Sequence, residues 1–337
     1  GSFEAMIRIA VTLPVCFFFA YCCATAVPQD GPGPSSIPLS DSTAGQPFVV
    51  VLGIAQDAGF PQAGCQRRCC LDAWRKPARR RQVACLAIVD PQSGQRWVID
   101  CTPDFREQLQ QLTAITPQRG IEQKGRPVLD GILLTHAHTG HYSGLIHLGR
   151  EAIGARNVPV WAMPRMRNFL TANGPWSQLV SLENIRLKAL TDNVSVPLNS
   201  RIRVTPFTVP HRDEFSETVG FQVTGPQRTV IYIPDIDKWS RWSRQIEDVI
   251  RSADLTYLDG TFFANGEIPG RDMSLIPHPF IEESLSRFTD LSVTERNRVR
   301  FIHLNHTNPA LHPDSAAARI IHKAGCAVAV QGERFGL

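Results

Sequence analysis

The sequence predicts a layered α/β domain with mixed sheets. Three observations carry this: short apolar runs recur along most of the chain, the early ones follow one another directly, and the later ones alternate with helical patterns. Strand-like runs fall at residues 48–53, 83–89, 97–100, 131–135, 158–162, 202–209, 219–224, 229–233, 255–258, 300–304 and 327–330, each rich in Val, Ile, Leu or aromatic residues. Helical runs fall at 105–112, 164–171, 239–250, 279–288 and 314–323. No repeat of 20–50 residues is visible. Nothing after residue 46 resembles a second linker, so residues 47–337 are expected to form one domain.

The chain ahead of that domain has a different character. Residues 1–5 share no pattern with the rest of the chain and read as a remnant preceding a natural start at Met6. Residues 6–26 read as an export signal: Arg8 gives the positive start, residues 9–21 the apolar stretch, and Ala24-Thr25-Ala26 the cleavage site. The apolar stretch is shorter than the ~20 residues a bilayer needs, which argues against a membrane span. A lipid anchor on Cys22 or Cys23 is opposed by the bulky Tyr21. Residues 27–46 have the Pro, Gly and Ser content of a flexible tether. A periplasmic or secreted protein is therefore expected.

Composition narrows function only a little. An apolar fraction of 43% describes a soluble globular protein with a large core, and a net charge of +4 does not call for a nucleic-acid partner. Of nine cysteines, Cys16, Cys22 and Cys23 lie in the signal. Cys85, Cys101 and Cys326 sit singly in apolar runs and read as small buried hydrophobes, though export would also permit disulfides. Cys65, Cys69 and Cys70 crowd together.

The strongest chemical signal is Leu133-Leu134-Thr135-His136-Ala137-His138-Thr139-Gly140-His141, where an apolar strand ends in three of the ten histidines. Loops at strand ends are where ligand sets assemble. The two-residue step from His136 to His138 puts both imidazoles on one side of an extended chain, and imidazole suits zinc, iron and manganese. Three further strands also end in a ligand-capable residue: His211 after 204–210, Asp235 after 229–234, and His303 after 300–302. Four such ends on one sheet edge make a metal site. Asp100, after Trp97-Val98-Ile99, is placed to orient a ligating imidazole through its second nitrogen. Asp213, Glu214 and Asp259, just past strand ends, read chiefly as solvated or capping carboxylates.

The ordered set Asp100, His136-x-His138-x-x-His141, His211, Asp235 and His303 resembles the motifs of the metallo-β-lactamase superfamily. Within it the likeness is to proteins similar to pyrroloquinoline quinone biosynthesis protein B and to phosphoribosyl cyclic phosphodiesterases. Residues 52–62 (Leu-Gly-Ile-Ala-Gln-Asp-Ala-Gly-Phe-Pro-Gln), Val209-Pro210-His211-Arg212 and 301–309 carry it. The resemblance spans about residue 48 to the C-terminus and implies an αββα sandwich, two mixed sheets flanked by helices, with metal at one sheet edge.

Carried over by position, it implies a first metal held by His136, His138 and His211, and a second by His141 and His303, with Asp235 bridging. Zinc is the expected ion, one or two per site, with manganese or iron as alternatives. Most relatives have Asp directly before the third histidine of the motif, where this chain has Gly140, so a weakened second site is expected. The biosynthetic protein usually lacks the histidine present here as His138, so this site is closer to a hydrolase. The resemblance also implies a structural zinc on Cys65, Cys69, Cys70 and His306, although the adjacent Cys69-Cys70 is unusual and His303 and His306 could exchange roles.

The expected function is metal-activated hydroxide attack on an ester, lactone, amide or phosphodiester, with Asp235, His141 and Asp100 in the catalytic machinery. The alternatives are an oxidative metalloenzyme in cofactor biosynthesis of the pyrroloquinoline quinone type, and a non-catalytic metal-binding protein. A small-molecule, anionic substrate would suit the basic stretch Arg67, Arg68, Arg75, Lys76, Arg79, Arg80 and Arg81, which otherwise reads as a solvated helix and turn.

Overall fold

The strand-forming runs pair into two seven-stranded sheets in a computed structural model that describes residues 45–116 and 128–337. The remnant and export signal, and all but the last two residues of the tether, lie outside the described residues. The first sheet contains β1 (Phe48–Gly53), β2 (Cys85–Asp90), β3 (Gln95–Ile99), β4 (Gly131–Leu133), β5 (Val158–Ala162) and β6 (Ile185–Ala189). The second contains β7 (Val196–Pro197), β8 (Arg203–Thr208), β9 (Val219–Thr224), β10 (Thr229–Ile233), β11 (Leu255–Asp259), β12 (Val299–Ile302) and β13 (Ala327–Val328). The last strand, β14 (Arg334–Gly336), returns to the open edge of β1.

Both sheets share one plan. Strands from β14 to β3 and from β7 to β10 pair antiparallel, while those from β3 to β6 and from β10 to β13 pair parallel. The carboxyl ends of the parallel strands therefore meet along one edge. Main-chain bonds close that edge: Val219 N donates to Thr135 O (3.1 Å), and Leu304 N donates to Ile54 O (2.8 Å).

Four layers emerge from which side chains are buried. Val50, Leu52, Val98 and Val160 on the outer face of the first sheet pack with Phe105, Leu112, Met166 and Leu170 of helices Phe105–Ile115 and Pro164–Ala172. Val49, Val51, Ile88 and Trp97 on its inner face belong to a core continuous with Phe221, Tyr232 and Phe301 of the second sheet. That core extends to Ile250, Ile281 and Ile321 of the helices beyond it. This is the αββα sandwich.

Three strands and one break depart from the sequence expectation. β6 alternates Ile185 and Leu187 with Arg186 and Lys188, an edge pattern too polar to stand out as an apolar run, and β7 and β14 have two and three residues. The helical run at 239–250 is broken: residues Trp239–Arg241 form a 3-10 turn and the helix is Ile246–Arg251. Trp242 between them is extended, and its indole N–H is held by Thr208 O at 3.1 Å.

Candidate metal centre

The site is assembled from the strand ends on that shared edge. Asp100 comes directly after β3 with φ 71°, and His303 directly after β12 with φ 65°. Left-handed backbone at non-glycine residues is strained and is retained where surrounding contacts hold it, commonly at functional positions. Here the contacts are visible. The fully buried Asp100 carboxylate accepts from Thr135 N (2.9 Å), from the Thr135 hydroxyl (2.9 and 3.0 Å) and from His141 Nδ1 (2.6 Å).

These bonds decide which imidazole nitrogens carry lone pairs. Thr135 gives its one hydroxyl proton to Asp100, so at 3.0 Å from His136 Nδ1 it acts as acceptor, which fixes the proton on Nδ1 and leaves Nε2 bare. The same logic holds at His303: the Thr261 hydroxyl donates to Asp259 Oδ1 (2.7 Å) and accepts from His303 Nδ1 (3.0 Å). His136 Nε2, His141 Nε2, His303 Nε2, Asp57 Oδ1 and Asp235 Oδ1 are all buried without a hydrogen-bond partner. Buried polar atoms are normally paired, so five unpaired ones in one place fit the donor set of a metal site.

Two ligand groups lie side by side, and Asp235 belongs to the first. One is His136, His138, His211 and Asp235; the other is Asp57, His141 and His303. Asp235 Oδ2 lies 3.4 Å from His136 Nε2, 3.2 Å from His211 Nε2, 3.9 Å from His138 Nδ1 and 4.0 Å from His141 Nε2. His138 Nδ1 and His211 Nε2 are 3.2 Å apart. Ligand atoms ~2.1 Å from a shared tetrahedral ion stand about 3.4 Å from one another. The spacing thus fits a zinc-sized ion.

The electrostatics point the same way. Burial would raise the Asp235 pKa, but His211, His278 and His303 outweigh it and hold the carboxyl well below its usual range. Burial pushes His136 well below the usual imidazole value, keeping it neutral and able to ligate. Burial would also lower His211, yet Asp235 and Asp237 raise it to about 10. At His141 burial is again outweighed, by Asp100 and Asp57, and the pKa lies well above normal. A field that draws a proton so strongly also draws a metal cation.

The structure brings every histidine of the expected set to this edge. Of the further acidic candidates, Asp259 is buried and orients His278, Glu214 Oε2 meets His138 Nε2 at 3.0 Å, and Asp213 accepts from Thr218. Asp57, Asp237 and His278 were not anticipated. His278 has no strand before it and lies in the segment between β11 and helix Ile281–Arg287, which only the fold brings over the site.

The cysteine group is partly assembled. Sγ atoms of Cys65 and Cys69 are 3.9 Å apart, and those of Cys69 and Cys70 4.0 Å. His306 stays outside that group: its Nδ1 is 3.2 Å from Gln62 Oε1, and its Nε2 is buried without a partner. All cysteines among the described residues are free thiols, and Cys85, Cys101 and Cys326 are buried.

The loop that carries His278 is fastened by Glu267, which accepts from Phe263 N (2.8 Å) and from the Thr307 hydroxyl. Burial raises its pKa from 4.5 to about 7. The folded state thus holds this proton where the unfolded chain does not, so stability should fall as pH rises from about 4.5 to about 7 and then level off. Glu267→Gln is expected to flatten that slope, checked by urea unfolding across the range.

A family model for the beta-lactamase superfamily domain matches residues 95–309, and the chain belongs to the metallo-β-lactamase superfamily. It is 28% identical over 314 residues to coenzyme PQQ synthesis protein B of Xanthomonas oryzae pv. oryzae (strain MAFF 311018), covering 86% of this chain and 99% of that protein. The fold is similar to that of Zn(2+)-bound PqqB from Methylobacterium extorquens, with TM-score 0.71, 24% identity, and coverage of 86% of this chain and all of the other. It is also similar to a diphosphatase from the PhnP family, with TM-score 0.58, 22% identity, and coverage of 87% and 97%.

Proposed function

We propose that the chain is a metal-dependent hydrolase acting on an ester, lactone, amide or phosphodiester bond of a small, anionic molecule. The observation that carries this is the pair of neighbouring ligand groups, one of them holding Asp235, with buried ligand atoms that have no hydrogen-bond partner. A divalent ion bound there supplies hydroxide near neutral pH and polarises the oxygen of the scissile bond. The residues supply the rest. Asp100 fixes the ring of His141, and Asp237 Oδ1, 3.2 Å from His211 Nδ1, fixes that of His211.

His278 completes the chemistry. Its Nδ1 faces Asp259 Oδ2 (2.8 Å) and Asp235 Oδ1 (3.2 Å). Against the effect of burial, those carboxylates raise its pKa, which favours a protonated ring that can donate to the leaving group. His278→Gln is expected to lower kcat about 10²–10⁴-fold on substrates with poor leaving groups, with a much smaller effect on p-nitrophenolate esters. An equal loss on both would remove this role.

Zinc- or manganese-loaded protein should turn over at least one member of an ester, lactone, β-lactam and phosphodiester panel, and His138→Ala should abolish it. Absence of turnover on all of them would defeat the hydrolase reading. Similarity to coenzyme PQQ synthesis protein B favours a second reading, an oxidative metalloenzyme, which iron-dependent oxygen uptake would support. The export signal read in residues 6–26 would place the activity in the periplasm or the cell exterior, which cell fractionation tests.

A further inference from the structure

We propose that Asp57, in the loop after β1, is the carboxylate ligand of the second metal position together with His141 and His303, and occupies the space that a side chain at position 140 would need. This deepens the metal-dependent reading above and rests on it. On this proposal the anionic ligand that Gly140 does not supply to the second position comes from a different part of the chain.

The packing at Gly140 is the first support. A Cβ there would lie 2.2 Å from Asp57 Oδ1 and 2.5 Å from Asp57 Cα, closer than real atoms approach. Glycine at 140 is thus what admits the 54–59 loop beside the histidine motif. The second support is where the carboxylate then points. Asp57 Oδ1 stands 3.3 Å from His141 Nε2 and 3.5 Å from His303 Nε2, close to the ~3.4 Å edge of a tetrahedron around a zinc-sized ion.

An ion pair with protonated imidazoles would use the same residues at the same distances, and metal binding separates the two. Despite these distances Asp57 Oδ1, His141 Nε2 and His303 Nε2 form no hydrogen bond, and all three are buried. Each ring already has its Nδ1 engaged, by Asp100 at 2.6 Å and by Thr261 at 3.0 Å, so Nε2 is the nitrogen each offers to the centre. Three atoms that converge without bonding one another have the arrangement of ligands about a shared cation. The loop is also tied to the strand that carries His303: Gln56 N donates to Leu304 O at 2.9 Å, and Gly59 N closes the turn onto Gln56 O at 2.8 Å. Asp57 and His303 are therefore held in fixed relation by main chain, as a ligand pair requires.

The test is manganese binding, because manganese favours imidazole and carboxylate over thiolate and so does not report on the cysteine group. Wild-type protein is expected to bind two manganese ions per chain with a spin-coupled paramagnetic resonance signal. Asp57→Asn and Gly140→Ala are each expected to bind one, with the signal of an isolated ion, because the second variant pushes Asp57 aside without altering any ligand. His138→Ala should lose the other ion and keep this one. Circular dichroism and the unfolding midpoint of the metal-free variants check that each folds. Asp57→Asn retaining two ions, or wild type binding a single one, overturns the role of Asp57 and leaves metal-dependent hydrolysis standing. Wild type binding none overturns both.

Discussion

Asp235→Asn is expected to empty both metal positions and to lower kcat/KM by roughly 10³-fold or more, since a catalytic ion supplies several kcal/mol of transition-state stabilisation. The size of the effect comes from position. Asp235 Oδ2 approaches His136, His211, His138 and His141, and the other oxygen of the same carboxylate faces His278. An amide has nearly the same shape but no charge. The substitution would leave a ring of buried imidazoles without the anion that draws a cation among them. Calorimetric metal titration beside a steady-state assay checks it, and two ions bound with unchanged affinity would be the contrary result.

Asp100→Ala is expected to act one step further out, with a combined effect nearly as large. Asp100 touches no proposed metal position directly, but it orients His141 and accepts both donors of Thr135, which in turn sets the tautomer of His136. Loss of such an orienting carboxylate typically weakens metal binding 10–100-fold. It also strands three buried donors, at a cost on the order of 3 kcal/mol to the metal-free fold. Competition against a chelator measures the first effect and urea unfolding of the metal-free protein the second.

Most of this architecture was legible because it rests on strands whose apolar runs end in a chemically distinctive residue. β3, β4, β10 and β12 ended in Asp100, His136, Asp235 and His303, and those ends meet. The hidden parts depended on tertiary packing. Asp57 is one of many loop carboxylates until Gly140 and the bonds to Leu304 bring it against His141. His278 becomes meaningful only once its loop folds over the edge and Asp259 turns its ring. β6 escaped notice because an edge strand needs only one buried face, and Arg186 and Lys188 masked its alternation.

Anomalous diffraction from crystals of zinc-loaded protein, collected on either side of the zinc edge, tests the metal centre most directly. Two peaks should flank the carboxylate of Asp235, one within the reach of His136, His138 and His211 and the other within that of His141 and His303. Zinc confined to the cysteine group, with no peak among those imidazoles, would contradict it.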